Sequence, residues 1–276
     1  MRIFKKVAIV GTGLIGGSLA LAIKKGGLAN EVVGVSRHKK NLLLAKKRGA
    51  IDRGSQSLEI IKGADLVILA TPVDVILNVA AKISKITGKG CIVTDVGSTK
   101  EKIVVSLQKT FPVFVGTHPL AGSEKRSIAN ANPSLFRNTL CILTPTAKTN
   151  KKALSKVNLL WKEVGAKTVV LRPDVHDRIL GFVSHLPHIV AFSLMESVPK
   201  NCLKFGAAGL KDTTRIAASD SELWAEIFLS NRKNVLKGIN TLQKNITSIK
   251  KAIKNRDKQK LSVILNRAKT KREILA

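Results

Sequence analysis

Five histidines, His38, His118, His176, His185 and His188, are the side chains of this sequence suited to moving a proton near neutral pH. His118 lies in Val113-Phe114-Val115-Gly116-Thr117-His118-Pro119-Leu120-Ala121-Gly122-Ser123-Glu124, directly after an apolar, β-branched run, and Pro119 biases it toward extended backbone. At the end of a strand that faces a crevice it is placed for chemistry, whereas in an ordinary loop it would be a surface polar residue. Ser98, in Asp95-Val96-Gly97-Ser98-Thr99-Lys100, follows the preceding strand, where it either orients a neighbouring histidine or caps the next helix. His185 and His188 stand three apart in Ser184-His185-Leu186-Pro187-His188. In Gly209-Leu210-Lys211-Asp212-Thr213-Thr214-Arg215, Lys211 and Arg215 share a face if the segment is helical. Both sets also read as solvated polar faces or structural ion pairs.

A second kind of chemistry is written into Gly11-Thr12-Gly13-Leu14-Ile15-Gly16, between a short apolar run and a helical pattern. Glycines there permit a tight turn and close approach of a pyrophosphate, and Leu14 and Ile15 open a helix whose free N–H groups face the phosphates. The expected ligand is a nicotinamide dinucleotide. An acidic residue on the adenosine ribose is missing after the second strand, where Ser36-Arg37-His38-Lys39 stands. Ser36, Arg37 and His38 suit a 2′-phosphate, so NADP is favoured over NAD, unless these residues are only part of a solvated basic face. Thr71 and Pro72, at the carboxyl end of a later strand, are a cofactor contact and a helix start. The absence of tyrosine removes the tyrosine–lysine pair of short-chain dehydrogenases and returns the proton chemistry to histidine.

The elements that must position these residues are legible in the apolar pattern. Short β-branched runs at 7–10, 32–35, 66–70, 92–95, 113–116 and 140–143 alternate with helical stretches, as in a doubly wound parallel sheet. After a last strand at 168–171 the pattern turns helical, over 179–197, 221–248 and 257–275. The expectation is an α/β Rossmann domain over residues 1–172 and an all-α domain over 173–276, packed together without a tether.

The 276 residues carry 44% hydrophobic side chains and a mean hydropathy of +0.10, ample for buried cores. The formal charge of +30 would attract any polyanion. Its spread along the chain, rising over residues 251–260 but forming no dedicated stripe, and the low aromatic content, 4%, argue against nucleic acid and leave a small anionic substrate as the expected partner. Cys91, Cys141 and Cys202 form no metal or disulfide pattern and read as buried thiols; no metal is expected. Neither an apolar leader nor an uninterrupted apolar run of membrane-spanning length is evident, so no membrane association and a cytoplasmic location are expected.

Taken in order, Gly-Leu-Ile-Gly-Gly-Ser, Asp-Val-Gly-Ser-Thr-Lys, Thr-His-Pro-Leu-Ala-Gly-Ser-Glu, Ser-His-Leu-Pro-His and Gly-Leu-Lys-Asp-Thr-Thr-Arg-Ile-Ala give the whole chain a resemblance to the prephenate dehydrogenase family. The resemblance implies oxidative decarboxylation of prephenate, or of arogenate, with hydride transfer to NAD(P) in tyrosine biosynthesis. It implies His118 as the base, Ser98 as its support, and Arg215 on the ring carboxylate. Lys211, His185, Ser123 and Glu124 are the implied pocket residues. A homodimer with interlocked helical domains is also implied, with Trp224 near a partner's site, although Trp224 equally reads as core. The departure at Ser36, where many members carry an acid, bears on the cofactor. A β-hydroxyacid dehydrogenase, which would need a lysine base, is the nearest rival enzyme, and a basic nucleic-acid-binding Rossmann protein the non-enzymatic one.

Overall fold

A computed structural model describes residues 2–122 and 127–275. The first half alternates strand and helix: β1 Phe4–Val10, α1 Leu14–Lys25, β2 Ala29–Val35, α2 Lys39–Lys47, β3 Arg53–Ser55, β4 Leu66–Leu69, α3 Val73–Ile83, β5 Ile92–Asp95, α4 Glu101–Thr110 and β6 Phe114–Pro119. It continues through β7 Leu140–Thr144, α5 Lys151–Glu163 and β8 Lys167–Val170. The strands form one sheet in the order β3-β2-β1-β4-β5-β6-β7-β8. All pairings are parallel except β6 with β7, which run antiparallel through partners such as His118 and Ile142. The expected doubly wound sheet is therefore present, with a reversal at β7 that periodicity cannot show, because alternation of side chains is the same in either direction. The three-residue β3 escaped the sequence reading because its partly polar Arg-Gly-Ser carries no apolar run.

β4, the Val7–Val10 stretch of β1 and the start of β5 are fully buried, which is why they read as continuous apolar runs. Two apolar clusters cover the faces of the sheet. One gathers Ile9, Leu19, Ile68 and Val115 with Phe136 edge-on to Trp161 at 5.3 Å; the other gathers Val10, Leu69, Ile76 and Leu107. Each fully buried aliphatic side chain contributes roughly 1.5–3 kcal/mol.

The second half is helical: α6 Pro173–Leu180, a π-helical turn Gly181–His185, α7 Leu186–Ser197, α8 Ala208–Thr214, α9 Ser221–Ser230, α10 Arg232–Lys254 and α11 Lys258–Glu273. Pro173 opens α6 at its first turn, where a missing N–H costs nothing. The run expected over 221–248 is two helices, broken at Asn231. Cys202 corrects the expectation of three buried thiols: it is exposed, on a 3₁₀ turn none of whose residues is buried. One helical run, Pro173–Ser197, is long and apolar enough to cross a membrane by length and composition. Polar residues punctuate it, so it holds no uninterrupted apolar stretch of that length. Its inner side carries His176, Asp177 and His185, all buried, and its outer side exposes Ile179 and Val183.

Candidate active site

The sheet order reverses between β1 and β4, and the crevice at such a switch point is where α/β proteins bind nucleotides. A cavity of about 640 Å³ opens there, walled by Gly13, Leu14 and Ile15 after β1, Thr71 and Pro72 after β4, and Ser98 after β5. Gly11 has φ +104°, and a Cβ on it would meet the Ala70 carbonyl oxygen at 2.4 Å. A Cβ on Gly16 would meet the Gly11 carbonyl oxygen at 2.0 Å. Both glycines are thus required by the turn itself. Gly13 differs, since a Cβ on it would find nothing within 4 Å: its space belongs to the cavity. α1 begins there with no side-chain cap and no acidic residue in its first turn, so its N–H groups and positive dipole end face the crevice. Thr71 adds a buried hydroxyl with no partner. Open glycine, uncapped helix and unsatisfied hydroxyl fit a dinucleotide pyrophosphate.

Ser36 and Arg37 directly follow β2 and do not wall the cavity. The Ser36 hydroxyl accepts the His38 N–H at 3.3 Å, and Arg37 is exposed. Two carboxylates at the opposite, amino-terminal end of β2 are paired there. Asp52 is ion-paired with Lys24 and accepts the Val32 N–H, and Glu31 pairs with Arg53.

Across the cavity stands His118, in β6 and nearly buried. Its Nδ1 lies 2.8 Å from Nε2 of His176, whose own Nδ1 lies 2.8 Å from Oδ1 of Asp177. Nε2 of His118 is therefore the ring nitrogen left to the cavity that the residue lines. Burial pushes the His118 pKa well below its ordinary value, and electrostatic interaction with His176, Lys100 and His185 pushes the same way. A neutral imidazole of this kind is a proton acceptor at physiological pH. Lys100 is itself completely buried, ion-paired with Asp95 and donating to the Thr117 carbonyl at 2.8 Å.

Asp177 does more than hold His176. Its two carboxylate oxygens accept the Lys100 and Glu101 N–H groups at 2.7 and 2.9 Å, capping α4 from the other domain. The cap anticipated from Ser98 is thus supplied by Asp177, and Ser98 faces the cavity. Thr99 meets Ser230 at 2.8 Å, a second polar link between the domains. Neither His176, Asp177 nor Lys100 had been assigned a role from sequence. The adjacent His-Asp pair just inside the helical half was the available signal.

His185 and His188 both line the cavity. The π-helical turn, common at functional sites, brings them there. His185 is buried, with its pKa pushed down to about 4 chiefly by burial. His188 is stacked on Trp224, ring centroids 3.4 Å apart and planes 21° apart. Trp224 is half-buried on the wall of its own chain's cavity, not in a core. Lys211 and Arg215 sit on α8 and just beyond it, exposed and away from the cavity wall, although the Arg215 charge reaches His188 and lowers its pKa after the larger effect of burial. Ser123 and Glu124 lie outside the described residues.

A switch-point nucleotide crevice facing a buried histidine on the last parallel strand, closed by a helical domain, defines a Rossmann oxidoreductase. Residues 19–170 match the family described as prephenate dehydrogenase, nucleotide-binding domain, and residues 172–267 match prephenate dehydrogenase, dimerization domain. Prephenate dehydrogenase of Bacillus subtilis is 36% identical, over 97% of this chain and 75% of its own length. The crystal structure of prephenate dehydrogenase from A. aeolicus in complex with hydroxyphenyl propionate and NAD+ superposes with a TM-score of 0.93 at 36% identity, covering 99% of this chain and 98% of that one. Arogenate dehydrogenase of Synechocystis gives 0.86 at 28% identity, covering 98% and 100%. This chain belongs to the prephenate dehydrogenase family.

Proposed function

We propose that the protein oxidises and decarboxylates prephenate to 4-hydroxyphenylpyruvate, a step of tyrosine biosynthesis, with arogenate as the alternative substrate. The observation that carries this reading is the buried, neutral His118 on the cavity wall, opposite the glycine turn. Bound nicotinamide supplies the hydride acceptor. His118 Nε2 takes the ring hydroxyl proton as the hydride leaves the same carbon. The bond to the ring carboxylate then breaks, carbon dioxide departs, and its electron pair completes the aromatic ring. His118 returns its proton to the phenolic oxygen, so no net proton is released. Ser98 helps hold the substrate hydroxyl and cofactor in register.

A substrate with two carboxylates suits a basic mouth. Arg215, whose charge is felt by His188 on the wall, is assigned the ring carboxylate, with His185 on the cavity wall, and Lys211, Ser123 and Glu124 are the further substrate contacts that the family resemblance implies. The cofactor is NADP in preference to NAD, because Ser36 and Arg37 offer a hydroxyl and positive charge directly after β2, where no carboxylate stands in the sequence. The working unit is a homodimer, built on the helical domain of residues 173–276. In α10, Ile239, Leu242, Ile246, Ile249 and Ile253 recur at the 3–4 spacing of a coiled-coil seam, with Ile246 and Ile253 more than half exposed.

The test is formation of reduced nicotinamide by the purified chain with prephenate and with arogenate, each offered NAD and NADP. Turnover fastest with prephenate and NADP is expected. Cofactor binding without turnover in any of the four combinations would overturn the assignment.

A further inference from the structure

His118 and His185 face the same cavity, yet the hydrogen bonds behind them impose opposite protonation patterns. Both patterns trace to Asp177. An ionised carboxylate can only accept, and that of Asp177 takes the Lys100 and Glu101 N–H groups and Nδ1 of His176. His176 therefore carries its proton on Nδ1. Burial holds its pKa below the ordinary value, so it is neutral and its Nε2 is a bare acceptor. His118 Nδ1, 2.8 Å away, must donate to it, which leaves His118 Nε2 unprotonated.

The second arm starts from the backbone of the same residue. The Asp177 carbonyl oxygen lies 2.7 Å from Nδ2 of Asn231, and a carbonyl can only accept, so the amide NH₂ must point this way. Its other hydrogen faces Nδ1 of His185 at 3.1 Å. Asn234 Nδ2 donates to the Asn231 oxygen at 2.8 Å, consistent with this orientation. His185 Nδ1 is thus an acceptor, and the ring proton sits on Nε2.

We propose that Asp177 is a positioning residue that fixes both tautomers, so that the cavity is offered an acceptor at His118 Nε2 and a donor at His185 Nε2. A substrate hydroxyl that must lose a proton meets the first, and a substrate oxygen that needs a hydrogen bond meets the second. A wrong tautomer at either histidine would present donor to donor or acceptor to acceptor. The inference rests on His118 as the base, but its test does not depend on turnover.

The experiment is ¹⁵N NMR of histidine ring nitrogens in the full-length protein at neutral pH, with signals assigned through His118→Asn and His185→Gln. The wild-type spectrum should show His118 protonated on Nδ1 only and His185 on Nε2 only. Asp177→Asn brings an NH₂ group against the donors behind the site. His118 should then become a mixture of tautomers while His185, held by the backbone carbonyl, keeps its own. Turnover should fall by about 10²-fold or more, the scale of a general base, with cofactor binding retained. Asn231→Ala should release His185 alone. A wild-type His118 protonated on Nε2 overturns the proposal, as does an Asp177→Asn spectrum unchanged at His118. If Asp177→Asn fails to fold, the wild-type spectrum still decides. The expected tautomers in a protein that turns over neither substrate would sink the assigned activity and leave this proposal standing.

Discussion

The two halves of the molecule are held together by different physics. The Rossmann half wraps two apolar clusters around a sheet, with Val7, Ile9, Leu66 and Ile68 among its fully buried side chains. Among the described residues after 172, six apolar side chains are buried, Pro173, Leu180, Ala191, Ile227, Val235 and Ala252, beside five polar ones, His176, Asp177, His185, Thr214 and Asn231. Four of those five polar residues form the network behind the cavity. The helical half is therefore specified less by its own burial than by hydrogen bonds to its neighbour domain and by the face it leaves open. Residues poorly buried as a core are free to be arranged as a site.

The largest effect that separates the halves is expected at His118. His118→Asn should lower kcat by about 10²- to 10⁴-fold, while cofactor affinity, which the glycine turn supplies, stays within about twofold. Nicotinamide fluorescence titration beside steady-state kinetics makes the comparison, and loss of both together would show that the two functions are not separable.

Next comes the open face. Ile246→Glu puts a charge into the proposed seam of α10, and burying it unpaired costs about 3–5 kcal/mol, or roughly 10²- to 10⁴-fold in dimer affinity. Sedimentation should find monomers at micromolar concentration with the Rossmann half still folded. An undisturbed dimer would move the interface off α10.

A smaller effect tests the polar interior. His185 has a folded pKa of about 4, depressed from 6.5. Its neutral form is fully compatible with the fold above pH 6.5. As pH falls from 6.5 toward 4 the unfolded chain takes up the proton first, so stability is lost across that window, by up to about 3 kcal/mol. Thermal melts from pH 7.5 to 4.5 should show a decline that His185→Gln flattens in part. A pH-independent Tm in the wild type would contradict it. His118, also depressed, should keep kcat/KM on its plateau below pH 6.5, where an ordinary histidine base would already be failing.

The smallest expected effect is at Arg215. Arg215→Gln should raise KM by about 10- to 150-fold, the equivalent of roughly 1.5–3 kcal/mol for a lost charged hydrogen bond, with little change in kcat. An unchanged KM would leave Arg215 as the exposed surface cation it resembles in the single chain.

What the sequence determined by itself was whatever repeats locally. The β-branched runs named the central strands, the glycine spacing named the turn, Pro119 and the preceding apolar run set His118 at a strand end, and helical spacing marked the second half. Each is a property of a few consecutive residues, so it survives without knowledge of the fold. Tertiary structure decided the rest. The direction of β7 leaves no mark on periodicity, and β3 has no apolar side chain to announce it. The links from His176 to His118, from Asp177 to Lys100, and from Asn231 to Asp177 and His185 span 58, 77, 54 and 46 residues of sequence. A hydrogen bond depends on position in space, and polar side chains that meet only after the helices dock on the sheet share no spacing that a single sequence could reveal.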